Sequence, residues 1–187
     1  MNSGAYLLIL GIGAIIVAID GQLIIRKAPS YLDEVYENKK RSRQVTGMVA
    51  DKRRWTLPEL RAMAQTDQVT RHICVEGWSA IGKWGGVAFS DFLHRVGADT
   101  SAKYVGFKCA DDYYTSIDMP TALHPQTLLA LTYDGQPLPP KYGFPMKLRM
   151  PTKLGYKNPK HILAIFVSNT YSGGYWEDQG YNWFGGS

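Results

Sequence analysis

Residues 102–119, AKYVGFKCADDYYTSIDM, carry the pattern that decides the fold. On either side of Asp111 and Asp112, apolar and polar side chains alternate, as is typical of two strands that each bury one face. Three further segments predict strands: QVTGMVA (44–50), VTRHICVEG (69–77) and HPQTLLALTY (124–133), the last followed by a turn at Asp134-Gly135. The domain is therefore predicted to contain several short strands.

Two short helices are predicted between these strands. TLPELRAMAQ (56–65) has Thr56 as N-cap, an early proline and Glu59 three residues after the cap, which is the capping-box pattern. AFSDFLHRVGA (88–98) is amphipathic, with Ser90 or a neighbour expected as its cap and Gly97 at its end. Strands and helices in this order predict a mixed α+β domain over residues 45–187.

Length and composition limit the class of protein. A chain of 187 residues is long enough for one domain with a proper core. The net charge is +5, and the basic residues cluster between Arg26 and Arg54. Such a segment either binds anionic lipid headgroups or is simply solvated. No nucleic-acid-binding motif accompanies the charge, so nucleic acid is not expected as a partner.

The N-terminal stretch from Gly4 to Ile25 is apolar, with Asp20 as its single charge. As a helix of about 1.5 Å rise per residue it would span roughly 33 Å, enough to cross a bilayer core. A signal peptide should begin with a basic segment, and MNSGAY contains no Lys or Arg. We therefore expect a transmembrane anchor over 4–25, followed by a basic linker over 26–44.

Cys74 is one of only two cysteines, the other being Cys109. Two cysteines cannot form a disulfide framework, and no zinc-binding spacing is present. Cys74 could fill a gap in the core, act as a nucleophile with His72 as its base, or bind a soft metal through its thiolate. Local pattern leaves all three interpretations open.

Four blocks of sequence together resemble the sulfite oxidase-type molybdopterin oxidoreductases: CVEGWS, KYVGFKCADDYYTSIDM, LTYDGQPLPPKYGFPMKLRMPTKLGYKNPKHI and GGYWEDQGY. The resemblance runs from about Val45 to Tyr181, and is greatest to the small bacterial branch that includes the catalytic subunit of the periplasmic protein-methionine-sulfoxide reductase. It implies a molybdenum-molybdopterin cofactor with Cys74 as the metal ligand.

The resemblance also implies which side chains surround the cofactor. Asp111 and Tyr113 match the stretch that lines the substrate side of the metal. The positions matching the family's pterin and phosphate contacts are Cys109, Tyr142, Lys147, Asn158, Pro159 and Lys160. Cys109, Tyr142 and Lys147 depart from the family's residues, and a lysine lacks the bidentate fork of arginine. Arg149 is expected to compensate for Lys147.

The expected activity is oxygen-atom transfer on a small substrate. In the resemblance, eukaryotic-type sulfite oxidases have arginines directly after the ligand cysteine, whereas CVEGWSAIGKW has none. This difference favours a neutral substrate such as a sulfoxide over sulfite. The sequence contains no haem or iron–sulfur motif, so electrons are expected to be exchanged with a membrane cytochrome b subunit. The alternative is a redox-inactive accessory subunit that keeps the fold. A bacterial inner-membrane location is expected, with the domain on the periplasmic face, although the basic flank favours the cytoplasmic one.

Overall fold

The computed structural model describes residues 43–187 in full, and the backbone of 6–10, 14–19 and 22–27. The chain divides into two compact units, residues 1–39 and 40–187. The described strands of the first unit form an antiparallel sheet in the order β1-β2-β3, with bounds Tyr6–Leu10, Ala14–Ile19 and Gln22–Lys27.

The helix predicted over 4–25 is not confirmed. Where the backbone of this stretch is described, it forms strands instead, and the strands are rich in β-branched isoleucine and valine. Glycines at 11, 13 and 21 fall between the strands in the sequence. Within the described residues, no helix combines the length and apolar character that a membrane crossing requires. Most of the predicted linker, residues 28–42, lies outside the described residues.

The second unit contains two five-stranded sheets and short helices. Its strands are β4 (Arg43–Gly47), β5 (Arg54–Trp55), β6 (Thr66–Ile73), β7 (Ser79–Ala88), β8 (Tyr104–Cys109), β9 (Tyr114–Asp118), β10 (Leu128–Tyr133), β11 (Gln136–Pro137), β12 (Lys147–Arg149) and β13 (Ile162–Ser168). The helices are α1 (Leu57–Ala62), α2 (Phe89–Arg95) and α3 (Met119–Ala122), with 3₁₀ turns at Pro140–Tyr142, Gly155–Lys157 and Glu177–Gln179.

The two sheets and the short helices form a mixed α+β domain, as the sequence predicts. The first has the order β11-β10-β7-β6, with β12 also paired to β10, and all its pairs are antiparallel. The second has the order β5-β4-β13-β8-β9, in which β4 and β13 are parallel. One apolar core joins both sheets to α2, with Val87, Phe107, Leu129 and Ile165 fully buried in it.

A smaller apolar cluster fixes the face that carries the site. Leu128 and Ala130 point away from the main core and pack with Trp84 and Leu138. Tyr133 and Tyr142 pack against the edge of this cluster. Strand β10 is therefore buried on both faces, and Trp84 is held beside Tyr142.

The helix signals in the sequence are confirmed in part. Thr56 caps α1 with the reciprocal Glu59 contacts of a capping box. Ser90 is not a cap, because it lies inside α2, whose N-cap is Ala88 with no side-chain hydrogen bond. Gly97 follows α2 in the left-handed region at φ 63°.

Two strand predictions are corrected by the structure: the end of β6 was placed too late, and β7 was not predicted. Strand β6 ends at Ile73, not Gly77, because residues 74–77 form the turn into β7. Strand β7 was not predicted, since glycines at 82, 85 and 86 weaken its strand signal. The glycines are required there by close packing: a Cβ on Gly86 would lie 2.0 Å from the carbonyl oxygen of Leu129 on β10.

Candidate functional site

Cys74 lies in the hairpin turn between β6 and β7. Its N–H donates to the Trp78 carbonyl at 2.9 Å, and its carbonyl accepts from Gly77 N–H at 3.1 Å. Gly77 adopts φ 92°, a conformation that favours glycine and allows the tight turn. The thiol is half-buried and donates to a Glu76 carboxylate oxygen at 3.5 Å. It is therefore accessible rather than walled into the core.

A cavity of about 300 Å³ opens beside this turn. Its walls come from the β6–β7 hairpin, the end of β10 and the loops that flank β12. We call it the cationic cavity, and its principal side chains are His72, Trp78, Trp84, Tyr133, Lys141, Tyr142, Lys147 and Lys160. No carboxylate lines it, so three lysines face one space without a counter-charge.

Lys147 is the most unusual of these cations. Its side chain is buried, and the ammonium lies 5.1 Å from the centre of the Trp84 ring. Within residues 43–187 it has no ion pair. Burial, followed by repulsion from Lys160 and Arg149, lowers the pKa of Lys147 to about 7. A buried ammonium without an acceptor is costly, so this site favours an anion.

Other polar atoms of the same walls also lack partners. The Trp84 indole N–H and Nδ1 of His72 are buried without a hydrogen bond. Burial, followed by repulsion from Lys147, Arg149 and Lys160, lowers the pKa of His72 to about 4, so its imidazole is neutral at pH 7. Buried polar groups are normally hydrogen-bonded. The cavity thus offers unsatisfied hydrogen-bonding atoms for a ligand that is itself polar.

A second cavity, of about 250 Å³, lies on the other side of Lys160. We call it the aromatic cavity, and it is lined by Asp111, Tyr113, Gly155, Tyr156, Asn158, Pro159, Lys160 and Trp176. It brings together the two residues predicted for the substrate side, Asp111 and Tyr113, and three of the six predicted for the cofactor, Asn158, Pro159 and Lys160.

The aromatic cavity also adjoins the end of strand β6. A Cβ built on Gly155 would lie 2.9 Å from His72 Nε2 and 3.6 Å from the Ile73 carbonyl oxygen. The wall at Gly155 thus touches the residue immediately before Cys74. Both cavities flank the end of β6 that precedes Cys74, although the Cys74 side chain itself lines neither of them.

Tyr113 separates the aromatic cavity from a third recess. Its hydroxyl donates a short hydrogen bond to the Tyr156 carbonyl, and burial raises its pKa above the usual range. Cys109 lies in the recess behind it, with Lys108, Asp112, Tyr114, Phe166 and Ser172. Burial, followed by the nearby Asp111 carboxylate, raises the pKa of the Cys109 thiol well above its usual range. Cys109 does not line either of the two cavities beside Cys74, and its contact with a cofactor stays a prediction.

Asn158 lines the aromatic cavity, but its side chain is occupied by the protein. Its amide oxygen accepts from Arg149 Nη1 at 3.1 Å and from Met150 N–H at 2.7 Å, and its amide nitrogen donates to the Leu154 carbonyl at 3.0 Å. Arg149 also donates to the Arg71 carbonyl at 2.7 Å. Arg149 is therefore held within the domain, which ties β12 to β6 and leaves Lys147 as the buried cation that faces the cationic cavity.

Sequence reasoning missed five aromatic residues of these walls: Trp78, Trp84, Tyr133, Tyr156 and Trp176. Trp84 lies on the unpredicted strand β7. Trp176 belongs to the aromatic tail, where the dense run of rings was the signal that could have found it.

Comparison with known proteins agrees with this geometry. Residues 34–176 match the family described as the oxidoreductase molybdopterin binding domain, and the chain belongs to that family. It is 78% identical over 144 residues to a putative protein-methionine-sulfoxide reductase subunit, YedZ1, of Azospira oryzae, a match that covers 77% of this chain and 55% of that protein.

More distant relatives extend the comparison. The chain is 37% identical over 121 residues to the protein-methionine-sulfoxide reductase catalytic subunit MsrP of Xanthomonas axonopodis, covering 57% of this chain and 38% of that protein. The sulfane dehydrogenase SoxCD from Paracoccus pantotrophus shares the fold, with a TM-score of 0.66 at 17% identity over 72% of this chain and 39% of that one. The chain thus spans about half the length, or less, of the proteins it matches.

The residues present fit the family's cofactor. A phosphate-bearing pterin needs cations for its phosphate and hydrogen-bonding partners for its ring, and Lys147, Lys160 and the unpaired Trp84 and His72 nitrogens provide both. The accessible thiol of Cys74, in the turn between the cavity residues His72 and Trp78, suits a molybdenum held by sulfur. The structure therefore supports molybdopterin binding at the cationic cavity.

Proposed function

We propose that this protein is the molybdopterin-binding catalytic part of a membrane-associated reductase that removes the oxygen atom from a sulfoxide. The observation that carries the proposal is the accessible Cys74 thiol beside a cavity whose buried Lys147 ammonium has no protein acceptor. The relatives named as protein-methionine-sulfoxide reductases support methionine sulfoxide in proteins as the substrate class.

The cofactor would supply the transfer of the oxygen atom and of the electron pair. Cys74 would hold the metal through its thiolate. Lys147 would neutralise the phosphate, and Tyr142 and Trp84 would pack beside the pterin. Lys160, which lines both cavities, would face the substrate. This division of roles places the charged end of the cofactor in the cationic cavity and leaves the aromatic cavity for the substrate.

The aromatic cavity suits a neutral substrate, because Asp111 and Lys160 contribute one charge of each sign. Reduction of a sulfoxide to a thioether takes up two electrons and two protons and releases water. The Asp111 carboxyl group lines the cavity and is the residue we assign to relay protons to the departing oxygen. Tyr113 is engaged with the Tyr156 carbonyl, so its role is to shape the wall.

Electrons would come from a membrane cytochrome b subunit. Among the described residues, no group of three or more His, Cys, Asp or Glu side chains is placed to hold a further metal ion. The apolar stretch 4–25 supports an association with the membrane. We propose the periplasmic face of a bacterial inner membrane as the location.

Metal analysis of the full chain tests the proposal. Purified from cells that make the cofactor, the wild type should contain about one molybdenum per chain, and Cys74→Ser should contain almost none. Cys109→Ser is the matched control and should keep its molybdenum, because Cys109 lies in a separate recess. Equal molybdenum in wild type and Cys74→Ser would refute the assigned ligand. No molybdenum in the matured wild type would favour a redox-inactive accessory subunit.

A further inference from the structure

The C-terminal tail, residues 169–187, lies against the domain as an aromatic strap. Tyr175 N–H donates to the Tyr114 carbonyl on β9 at 2.9 Å, and Leu154 N–H donates to the Gly185 carbonyl at 2.8 Å. Between these ends, Glu177 is buried against Lys157. The tail is therefore fixed at three places, and Trp176 is positioned immediately beside the buried carboxylate.

Trp176 is the tail residue that lines the aromatic cavity. Its ring lies 5.3 Å from that of Tyr175 and 5.1 Å from that of Tyr181. All three side chains are substantially exposed. The wall of the cavity thus continues outward as an aromatic ridge of Tyr175, Trp176 and Tyr181.

We propose that this ridge and the aromatic cavity bind a methionine sulfoxide side chain together with the polypeptide segment that carries it, with Trp176 as the specificity-determining residue. The proposal rests on the proposed function. It adds how a protein substrate is recognised by residues of this chain.

The size of the cavity supports a side chain as its occupant. A volume of about 250 Å³ is below the roughly 300–1,000 Å³ of sites that enclose drug-sized ligands. Sulfur makes favourable contacts with aromatic rings, and Trp176 and Tyr113 both line this cavity. Lys160 Nζ, which donates one hydrogen to the Lys141 carbonyl at 3.0 Å, has further hydrogens for the sulfoxide oxygen.

The exposed ridge supports a polypeptide as the carrier of that side chain. Exposed tryptophan and tyrosine side chains are the residues that most often dominate binding energy at protein interfaces. A free sulfoxide would fill the cavity without touching Tyr175 or Tyr181. The ridge is continuous with the cavity, so a bound segment would contact both at once.

The test compares Trp176→Ala with Trp183→Ala in the full chain. Trp183 is a matched control, since it lies in the same tail, is exposed, and contacts Tyr171 and Phe184 rather than the cavity. In the metal-free protein, a fluorescein-labelled peptide containing methionine sulfoxide should bind about tenfold more weakly to Trp176→Ala, as expected for loss of one interface anchor. Trp183→Ala should bind within about twofold of wild type. The same peptide with unoxidised methionine should bind the wild type more weakly than the oxidised peptide.

Activity of the molybdenum-loaded protein gives a second measurement. Trp176→Ala should lower kcat/KM for an oxidised, denatured protein, mainly through KM, and lower it much less for dimethyl sulfoxide. If Trp176→Ala binds the peptide as wild type does, the inference is wrong, whatever the molybdenum content. If only electron delivery from membranes is slowed in that variant, the ridge instead docks the electron donor. Loss of molybdenum from the wild type would refute the proposed function, while the metal-free peptide measurement would still decide the inference.

Discussion

Replacing Glu177 by alanine should destabilise the domain more than any exposed carboxylate does. The Glu177 and Lys157 side chains are only 3% and 1% exposed, and they form an ion pair. The same Glu177 oxygen accepts from the Thr115 hydroxyl at 2.6 Å, and the Lys157 ammonium also donates to the Ser116 carbonyl at 2.6 Å. Removing the carboxylate leaves a buried ammonium and a hydroxyl without their partner.

The magnitude follows from that burial. Breaking a buried ion pair by removing one partner costs about 3–5 kcal/mol, because the remaining charge stays desolvated. Burial already lowers the pKa of Lys157 despite the opposing effect of Glu177, so the ammonium is not freely solvated. With a urea dependence of about 2 kcal/mol per M, the midpoint of unfolding should fall by about 1.5–2.5 M.

Urea unfolding of the full-length protein, followed by tryptophan fluorescence, measures this change. The control is Asp67→Ala, which removes the exposed Lys83 ion pair, whose side chains are 45% and 58% exposed. That variant should lose less than about 1 kcal/mol. Amide hydrogen exchange of the tail should show whether Glu177→Ala releases it before the domain unfolds.

The double variant Lys157→Met/Glu177→Leu provides a further check. It removes both charges and should recover most of the stability lost in Glu177→Ala. The reasoning fails if Glu177→Ala loses no more stability than Asp67→Ala, or if the double variant is less stable than the single one.

Two further predictions concern the residues around Cys74. The pKa of Lys147 is about 7 in the folded protein, against an ordinary 10.5. Between these two pH values the unfolded chain keeps the Lys147 side chain protonated while the folded protein does not. The free energy of unfolding should therefore rise with pH across that range. Lys147→Met should therefore stabilise the metal-free protein at pH 6 and reduce the rise between pH 7 and 10, as measured by urea unfolding at several pH values; an unchanged rise would contradict the assignment. Gly155→Ala should place a methyl group against the His72 ring and lower the free energy of unfolding by about 1–3 kcal/mol. The NMR signals of the His72 imidazole should shift as well. Unshifted signals would show that the methyl group is accommodated by movement of other residues.

The local elements of this fold were predictable because their signals are local. The capping box at Thr56 and Glu59 and the Asp134-Gly135 turn depend on neighbours within a few residues, and both are present in the structure. Strands β8 and β9 were predicted from alternation alone. Strand β7 was not predicted from the sequence. Its Gly86 is required by close packing against the Leu129 backbone on β10, and that neighbour is distant in the sequence.

The site was predictable only where a motif carried it. The cysteine motif and the lysine-rich block lead to Cys74, Lys147 and Lys160, and two of these side chains line the same cavity. The spacing of residues in the sequence cannot show that the Arg149 side chain is hydrogen-bonded to Asn158 and to the Arg71 carbonyl, since those partners come from other segments. Nor can it show that Trp176 reaches the cavity, which depends on Glu177 being buried against Lys157.

By itself the sequence determined the class of domain, and it predicted the thiol and the cations of the site, because periodicity, turns and motifs are properties of short segments. Tertiary structure alone decided which of those cations are buried without an acceptor and which aromatic rings surround the second cavity. Burial sets the pKa of Lys147 and the packing of Trp176, and burial depends on segments that meet only when the chain folds.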